Sequence, residues 1–275
     1  MSIGGGAMHA LPEVEAWHVA LQRWAGDGPP PALPGLGVVR PGGPAPQRPW
    51  GPEAAAALAD PARLAPYLDH TLLRPEATDE EVRQLAEEAR ALGVGGACVH
   101  PARMAALVAG LGGAPVEPVS VVGFPHGAHR TEVKLLEARL AIADGARAVD
   151  VVAPLGPLRA GAAGAVLDEL RALVEAVAPV PLRVILETGL LPRAAVALGA
   201  GLALLAGCDA VKTSTGFSGP GARPEDVLLL RQCVAGELGV KASGGIRSAA
   251  QARALVAAGA SRLGTSVAAS VLGQR

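Results

Sequence analysis

From about residue 61 onward, short apolar runs alternate with longer stretches in which apolar residues recur every three to four positions. The short runs are β-type: PYLD (66–69), GGACVH (95–100), VSVVGFP (119–125), AVDVVAP (148–154), LRVILET (182–188), AVKTST (210–215), GVKASGG (239–245) and RLGTS (262–266). Helical patterns fill the intervals. TDEE (78–81) reads as a capping box, with Thr78 as N-cap and Val82, Leu85, Ala86 and Ala89 as the buried stripe that follows. Further helices are expected at 131–145, 192–207, 221–236 and 248–260. Eight strand–helix units predict an α/β fold, a (β/α)8 TIM barrel over residues 61–275. An open doubly wound sheet is the alternative, but it calls for fewer strands or a clear switch point.

Residues 1–60 break this rhythm and read as an N-terminal extension. Leu11, Val14, Trp17, Leu21 and Trp24 recur at helical spacing, so a helix is expected over 11–25, docked either on its own barrel or at a subunit interface. The Pro- and Gly-rich stretch 26–52 that follows reads as a linker.

Composition narrows the function classes. The formal net charge is −1, and no basic patch is interleaved with aromatics, so neither nucleic acid nor an acidic membrane is an expected partner. LGAGLALLAG (198–207) is apolar but too short to span a bilayer. The N-terminus lacks the pattern of a secretory signal, and Cys98, Cys208 and Cys233 suit neither a disulfide framework nor a zinc site, so a cytoplasmic protein is expected. Asn is absent and Arg greatly outnumbers Lys. A GC-rich gene and selection for thermostability are both consistent with that bias.

The bias sets off the lysines, which occur only at 134, 212 and 241. Lys134 lies in a helical pattern near Glu132 and Glu137, as a solvated or ion-paired lysine would. Lys212 and Lys241 lie inside consecutive strand runs, where charge is costly. Adjacent parallel strands run about 4.8 Å apart. Two inward lysines there repel each other in a water-poor site, and one is expected to lose its proton more easily than usual. A neutral amine attacks carbonyls to form a Schiff base, which arginine cannot do. Asp150, inside the fourth run, and Asp69, ending the first, are candidate partners. The Gly-rich turns STG (214–216), SGGIR (243–247) and GTS (264–266) follow the last three strands, where barrels of this kind bind phosphate. His126 and His129 in HGAH have no acidic or Cys partner at a ligand spacing, so no metal is expected. The residues alone thus describe amine catalysis on a phosphorylated carbonyl compound.

The stretches YLDHTLLRPEAT (67–78), ACVHP (97–101), VVGFPHGAHRTEVK (121–134), AVDVVAPLG (148–156), VILETGLL (184–191), VKTSTGF (211–217), VKASGGIR (240–247) and LGTS (263–266) together resemble the deoxyribose-phosphate aldolases, in order and from about Tyr67 to Leu272. The resemblance implies a class I aldolase without cofactor or metal. It would reversibly cleave 2-deoxy-D-ribose 5-phosphate to D-glyceraldehyde 3-phosphate and acetaldehyde, as a homodimer or homotetramer. It implies Lys212 as Schiff-base lysine, Lys241 and Asp150 as proton-transfer partners, and Asp69 as a supporting carboxylate. Thr213, Gly216, Gly244, Gly245, Gly264 and Ser266 fall to the substrate and its phosphate. The chain departs from the family at GTSVA (264–268), where GTSSG is frequent, and Phe217 stands where one branch has lysine. A related Schiff-base barrel acting on another phosphorylated aldehyde and a non-catalytic phosphometabolite binder are the competing readings. Retention of Lys212, Lys241 and Asp150 speaks against the second.

Overall fold

In a computed structural model of the chain, which describes residues 12–24, 30–31 and 60–274, the eight apolar runs form one closed parallel barrel. Its strands, in sequential order around the barrel, are β1 (Leu68–Leu72), β2 (Gly96–Val99), β3 (Glu117–Val122), β4 (Ala148–Val152), β5 (Leu182–Ile185), β6 (Ala210–Lys212), β7 (Gly239–Ser243) and β8 (Arg262–Thr265). The helices are α1 (Pro12–Arg23), α2 (Asp79–Leu92), α3 (Met104–Leu111), α4 (Thr131–Ala143), α5 (Leu155–Arg159), α6 (Ala163–Val177), α7 (Arg193–Ala206), α8 (Pro224–Val234), α9 (Ala249–Ala258) and α10 (Ala268–Val271).

The period of two along each strand decides which residues meet. In β4, Val149 and Val151 face outward into the core shared with the helices, alongside Val99, Val184, Val211 and Val240 of other strands. Ala148 faces the barrel interior with Cys98, Val119 and Val121, and Asp150 shares that inward parity. The α2 capping box forms as expected: the Glu81 N–H donates to Thr78 Oγ1 and the Thr78 N–H donates to Glu81 Oε2. Helices α3 and α6 complete the ring where no element was singled out in the sequence. MAALVAGL is apolar almost throughout and has no side-chain cap, so neither a start signal nor a polar face marks it.

Two expectations need correction. The first strand begins at Leu68 rather than 66, because Pro61–Tyr67 forms a 3-10 turn containing Pro66, which has no N–H to give a ladder. The strand then continues to Leu72, so Asp69 lies near its start and not at its end. Of the two readings of Lys134 the ion-paired one holds and the solvated one does not. Lys134 is fully buried, donates to Glu169 Oε1 at 2.7 Å and to the Val152 carbonyl at 2.9 Å, and so pairs with α6 instead of Glu132 or Glu137. Burial lowers its proton affinity and the Glu169 carboxylate opposes that.

Helix α1 packs on α7 and α6 of its own barrel. Trp17 and Leu21 are buried in the same core as the barrel helices, and the Trp17 indole N–H donates to the Pro31 carbonyl at 3.1 Å. Gly201 makes room for that indole, since a Cβ there would overlap it. The 26–52 stretch lies outside the described residues except for Pro30 and Pro31. Trp17→Ala is expected to lower stability by about 3 kcal/mol, the cost of truncating a buried tryptophan. Denaturant unfolding measures it; an unchanged midpoint would mean that α1 contributes nothing to the cooperative unit.

Candidate active site

Lys212 ends β6 and Lys241 lies in β7, directly opposite it in the parallel register. Both side chains point inward and are almost wholly buried. They converge on one oxygen: Lys212 Nζ donates to Asp150 Oδ2 at 2.7 Å and Lys241 Nζ donates to the same oxygen at 2.6 Å. Lys241 Nζ is also 2.5 Å from Asp69 Oδ2. The four charged residues expected from sequence therefore form one contiguous cluster. Asp69 reaches it from low in the barrel, where Gly96 admits its ion pair with Arg262; a Cβ at Gly96 would collide with both side chains.

Three further ions underlie this cluster that the sequence reading missed. Arg183, on β5, faces Asp150 Oδ1 at 3.6 Å and Asp69 Oδ2 at 3.7 Å, and it donates to Glu117 of β3. Arg262, on β8, donates to Asp69 Oδ1 at 2.7 Å and to Glu117 Oε2 at 3.1 Å. Arg183 and Arg262 share inward parity with the next residue but one in their strands, a signal present in LRVI and RLGT.

The cluster holds its charges firmly. Burial works against ionised Asp150, but Lys212, Lys241 and Arg183 outweigh it and keep the carboxyl far below the usual carboxylate range. Asp69 is likewise opposed by burial and held well below that range by Arg262, Lys241 and Arg183. Burial disfavours the Lys241 ammonium, yet Asp150 and Asp69 prevail and raise its proton affinity. Lys241 thus holds its proton in the resting site. Cys98, beside this cluster on β2, is pushed up to about 11 by burial and stays a thiol.

Above the cluster a cleft of about 560 Å³ opens at the C-terminal ends of the strands, the usual face for chemistry in this architecture. Lys212, Ser243, Gly216, Gly244, Gly245, Gly264 and Ser266 line it. Gly216 and Gly244 both have positive φ, 86° and 94°, and their turns approach so closely that a Cβ on Gly244 would lie 3.3 Å from the Gly216 Cα. Thr213 does not line the cleft. It is fully buried, and its hydroxyl accepts from the Ser243 N–H, which ties β6 to β7. The Val267 N–H, at the departure from GTSSG, is taken up by Thr265 Oγ1 at 3.2 Å. Phe217 is half-exposed at the rim and stacks edge-on against Phe124 with centroids 5.3 Å apart. His126 and His129 are exposed in the loop after β3.

One more buried acid borders the site. Glu187, after β5, has φ 47° and accepts from the Thr215 N–H at 3.0 Å and from its hydroxyl at 2.5 Å. With the Leu186 and Thr188 N–H groups donating to the Lys212 and Thr213 carbonyls, it fixes the backbone that carries Lys212. No periodicity in the sequence reports a left-handed glutamate.

A parallel eight-stranded barrel with two lysines buried under its catalytic face is the architecture of a Schiff-base enzyme. Residues 63–269 match the profile of the DeoC/LacD family aldolases. The deoxyribose-phosphate aldolase of Thermus thermophilus is 49% identical over 203 residues, 74% of this chain and 92% of the relative. That of Nocardia farcinica is 47% identical over 221 residues, 80% of this chain and 97% of the relative. Among solved structures, the tetrameric deoxyribose phosphate aldolase from Aeropyrum pernix superposes with a TM-score of 0.75 at 38% identity, covering 80% of this chain and 94% of its own. The chain belongs to the DeoC/LacD aldolase family.

Proposed function

We propose that this chain is a class I aldolase that reversibly cleaves 2-deoxy-D-ribose 5-phosphate into D-glyceraldehyde 3-phosphate and acetaldehyde, with residues 61–275 as the catalytic unit and 1–60 as an extension. The observation that carries the reading is the meeting of Lys212 and Lys241 on Asp150 beneath the glycine-lined cleft. Lys212 Nζ, as the free amine, attacks C1 of the open-chain aldehyde. The carbinolamine loses water as Asp150 and Lys241 move protons between nitrogen and oxygen. The resulting iminium accepts the electron pair of the C2–C3 bond when the C3 hydroxyl gives up its proton. Glyceraldehyde 3-phosphate leaves, and the enamine that remains is protonated at C2 and hydrolysed to acetaldehyde, which returns the amine. Asp69 holds Lys241 in place.

Phosphate falls to the turns at Gly216, Gly244, Gly245, Gly264 and Ser266, whose backbone N–H groups favour an anion. A cytoplasmic homo-oligomer, dimer or tetramer, completes the reading; it rests on Cys98, Cys208 and Cys233 lying buried outside any disulfide and on the tetrameric Aeropyrum relative. Among the described residues no helix is long and apolar enough to cross a membrane.

Incubation with 2-deoxy-D-ribose 5-phosphate, with both aldehydes quantified, tests the substrate. Equimolar acetaldehyde and glyceraldehyde 3-phosphate are expected. Cleavage of another phosphorylated aldehyde at a far higher kcat/KM would favour the related Schiff-base barrel.

A further inference from the structure

The cluster beneath Lys212 contains more charge than the proton transfers use. Asp150 and Lys241 touch Lys212 or its partner oxygen and Asp69 supports them, but Arg183, Arg262 and Glu117 lie one layer lower and have no place in the steps above. Arg183 is only 10% exposed at its side chain and has its Nη1 aimed at both aspartates, at 3.6 and 3.7 Å. Its other nitrogen donates to Glu117, which also accepts from Arg262. Within this ion-paired set the carboxylates are Asp69, Asp150 and Glu117, and the cations before substrate binds are Arg183, Arg262 and Lys241. These six cancel, so Lys212 is the one surplus cation when protonated.

We propose that Arg183 is a positioning residue for Lys212: together with Glu117 it sets the electrostatic balance that releases the Lys212 proton. The inference rests on Lys212 being the Schiff-base amine. Arg183 faces the Asp150 oxygen that neither lysine takes, at 3.6 Å, and Arg262 pairs with Asp69, so less of the Asp150 charge is left to retain a second ammonium. Without Arg183, the set is neutral only with Lys212 charged, and the amine is withheld. Without the Glu117 charge the set is too positive, and the Lys212 proton is shed more readily. The other groups facing Lys212 are Cys98 on β2, which stays a thiol, and Glu187 after β5, which is engaged by Thr215 and acts at longer range. Both are unchanged by these substitutions.

The opposite signs make the test. The pH dependence of kcat/KM for deoxyribose 5-phosphate cleavage, and of borohydride trapping at Lys212, is measured for the full chain and for Arg183→Met, Arg183→Lys and Glu117→Gln. The ascending limb is expected to move up by about one pH unit in Arg183→Met, which is about a tenfold loss of kcat/KM on that limb. Arg183→Lys should restore most of it. Glu117→Gln should move the limb down by about half a unit, because its charge lies further from Lys212. Glu117 is partly exposed, so Glu117→Gln remains informative if Arg183→Met fails to fold. Limbs that stay in place, or move in the same direction in both neutralising variants, overturn the inference while leaving the aldolase reading intact. Absence of any adduct on Lys212 in the unaltered protein overturns both.

Discussion

Lys212→Arg eliminates aldol cleavage, with kcat/KM falling by about 10⁴-fold or more while the fold is kept. The argument is one of chemistry rather than charge. Arginine keeps a cation in reach of Asp150 Oδ2, so the buried carboxylate is not stranded and the barrel stays intact. What it lacks is a state with a nucleophilic lone pair, because the guanidinium does not deprotonate in the working pH range. Every step after binding depends on the covalent imine, so no residual path through general acid–base groups makes up the loss. Steady-state kinetics together with a thermal melt separate the outcomes. A folded variant that retains even a hundredth of the activity would mean that the carbon–carbon bond breaks without Lys212.

Lys241→Arg is the second large effect, with kcat expected to fall by about 10²- to 10³-fold, the range for removal of a positioned proton donor. Lys241 Nζ lies within 2.6 Å of Asp150 and 2.5 Å of Asp69, a spacing that a compact ammonium fills and a planar guanidinium does not. The substitution preserves the positive charge beside Lys212, so attack at the carbonyl should suffer less than the proton transfers that follow. Carbinolamine dehydration and enamine protonation are the steps to slow. Pre-steady-state trapping should show the adduct on Lys212 still forming as turnover collapses. Near-normal kcat would reduce Lys241 to a fixed charge.

The legible and hidden parts of this molecule divide along a physical line. The eight strands were readable because each is largely buried on both faces and so appears as a short apolar run set apart from its neighbours by turns and longer helical patterns. Lys212, Lys241 and Asp150 were readable because a charge inside such a run has no cheap explanation. Arg183, Arg262 and Glu117 escaped because they sit at or near strand starts, where a charge also marks an ordinary loop boundary; only the closed register turns them inward. Thr213, which the family resemblance gives to the substrate, follows Lys212 in the strand, and alternation sends its hydroxyl into the β6–β7 seam. Lys134 was judged from its own helix, whereas its partner Glu169 belongs to α6, 35 residues away. The two docking options for α1 could not be separated by periodicity, which shows that a face is apolar but not what covers it.

Borohydride reduction of the protein with acetaldehyde, followed by peptide mass spectrometry, tests the central claim most directly. The account predicts a single reduced two-carbon adduct on Lys212. No adduct, or an adduct on Lys241 or Lys134, would contradict it.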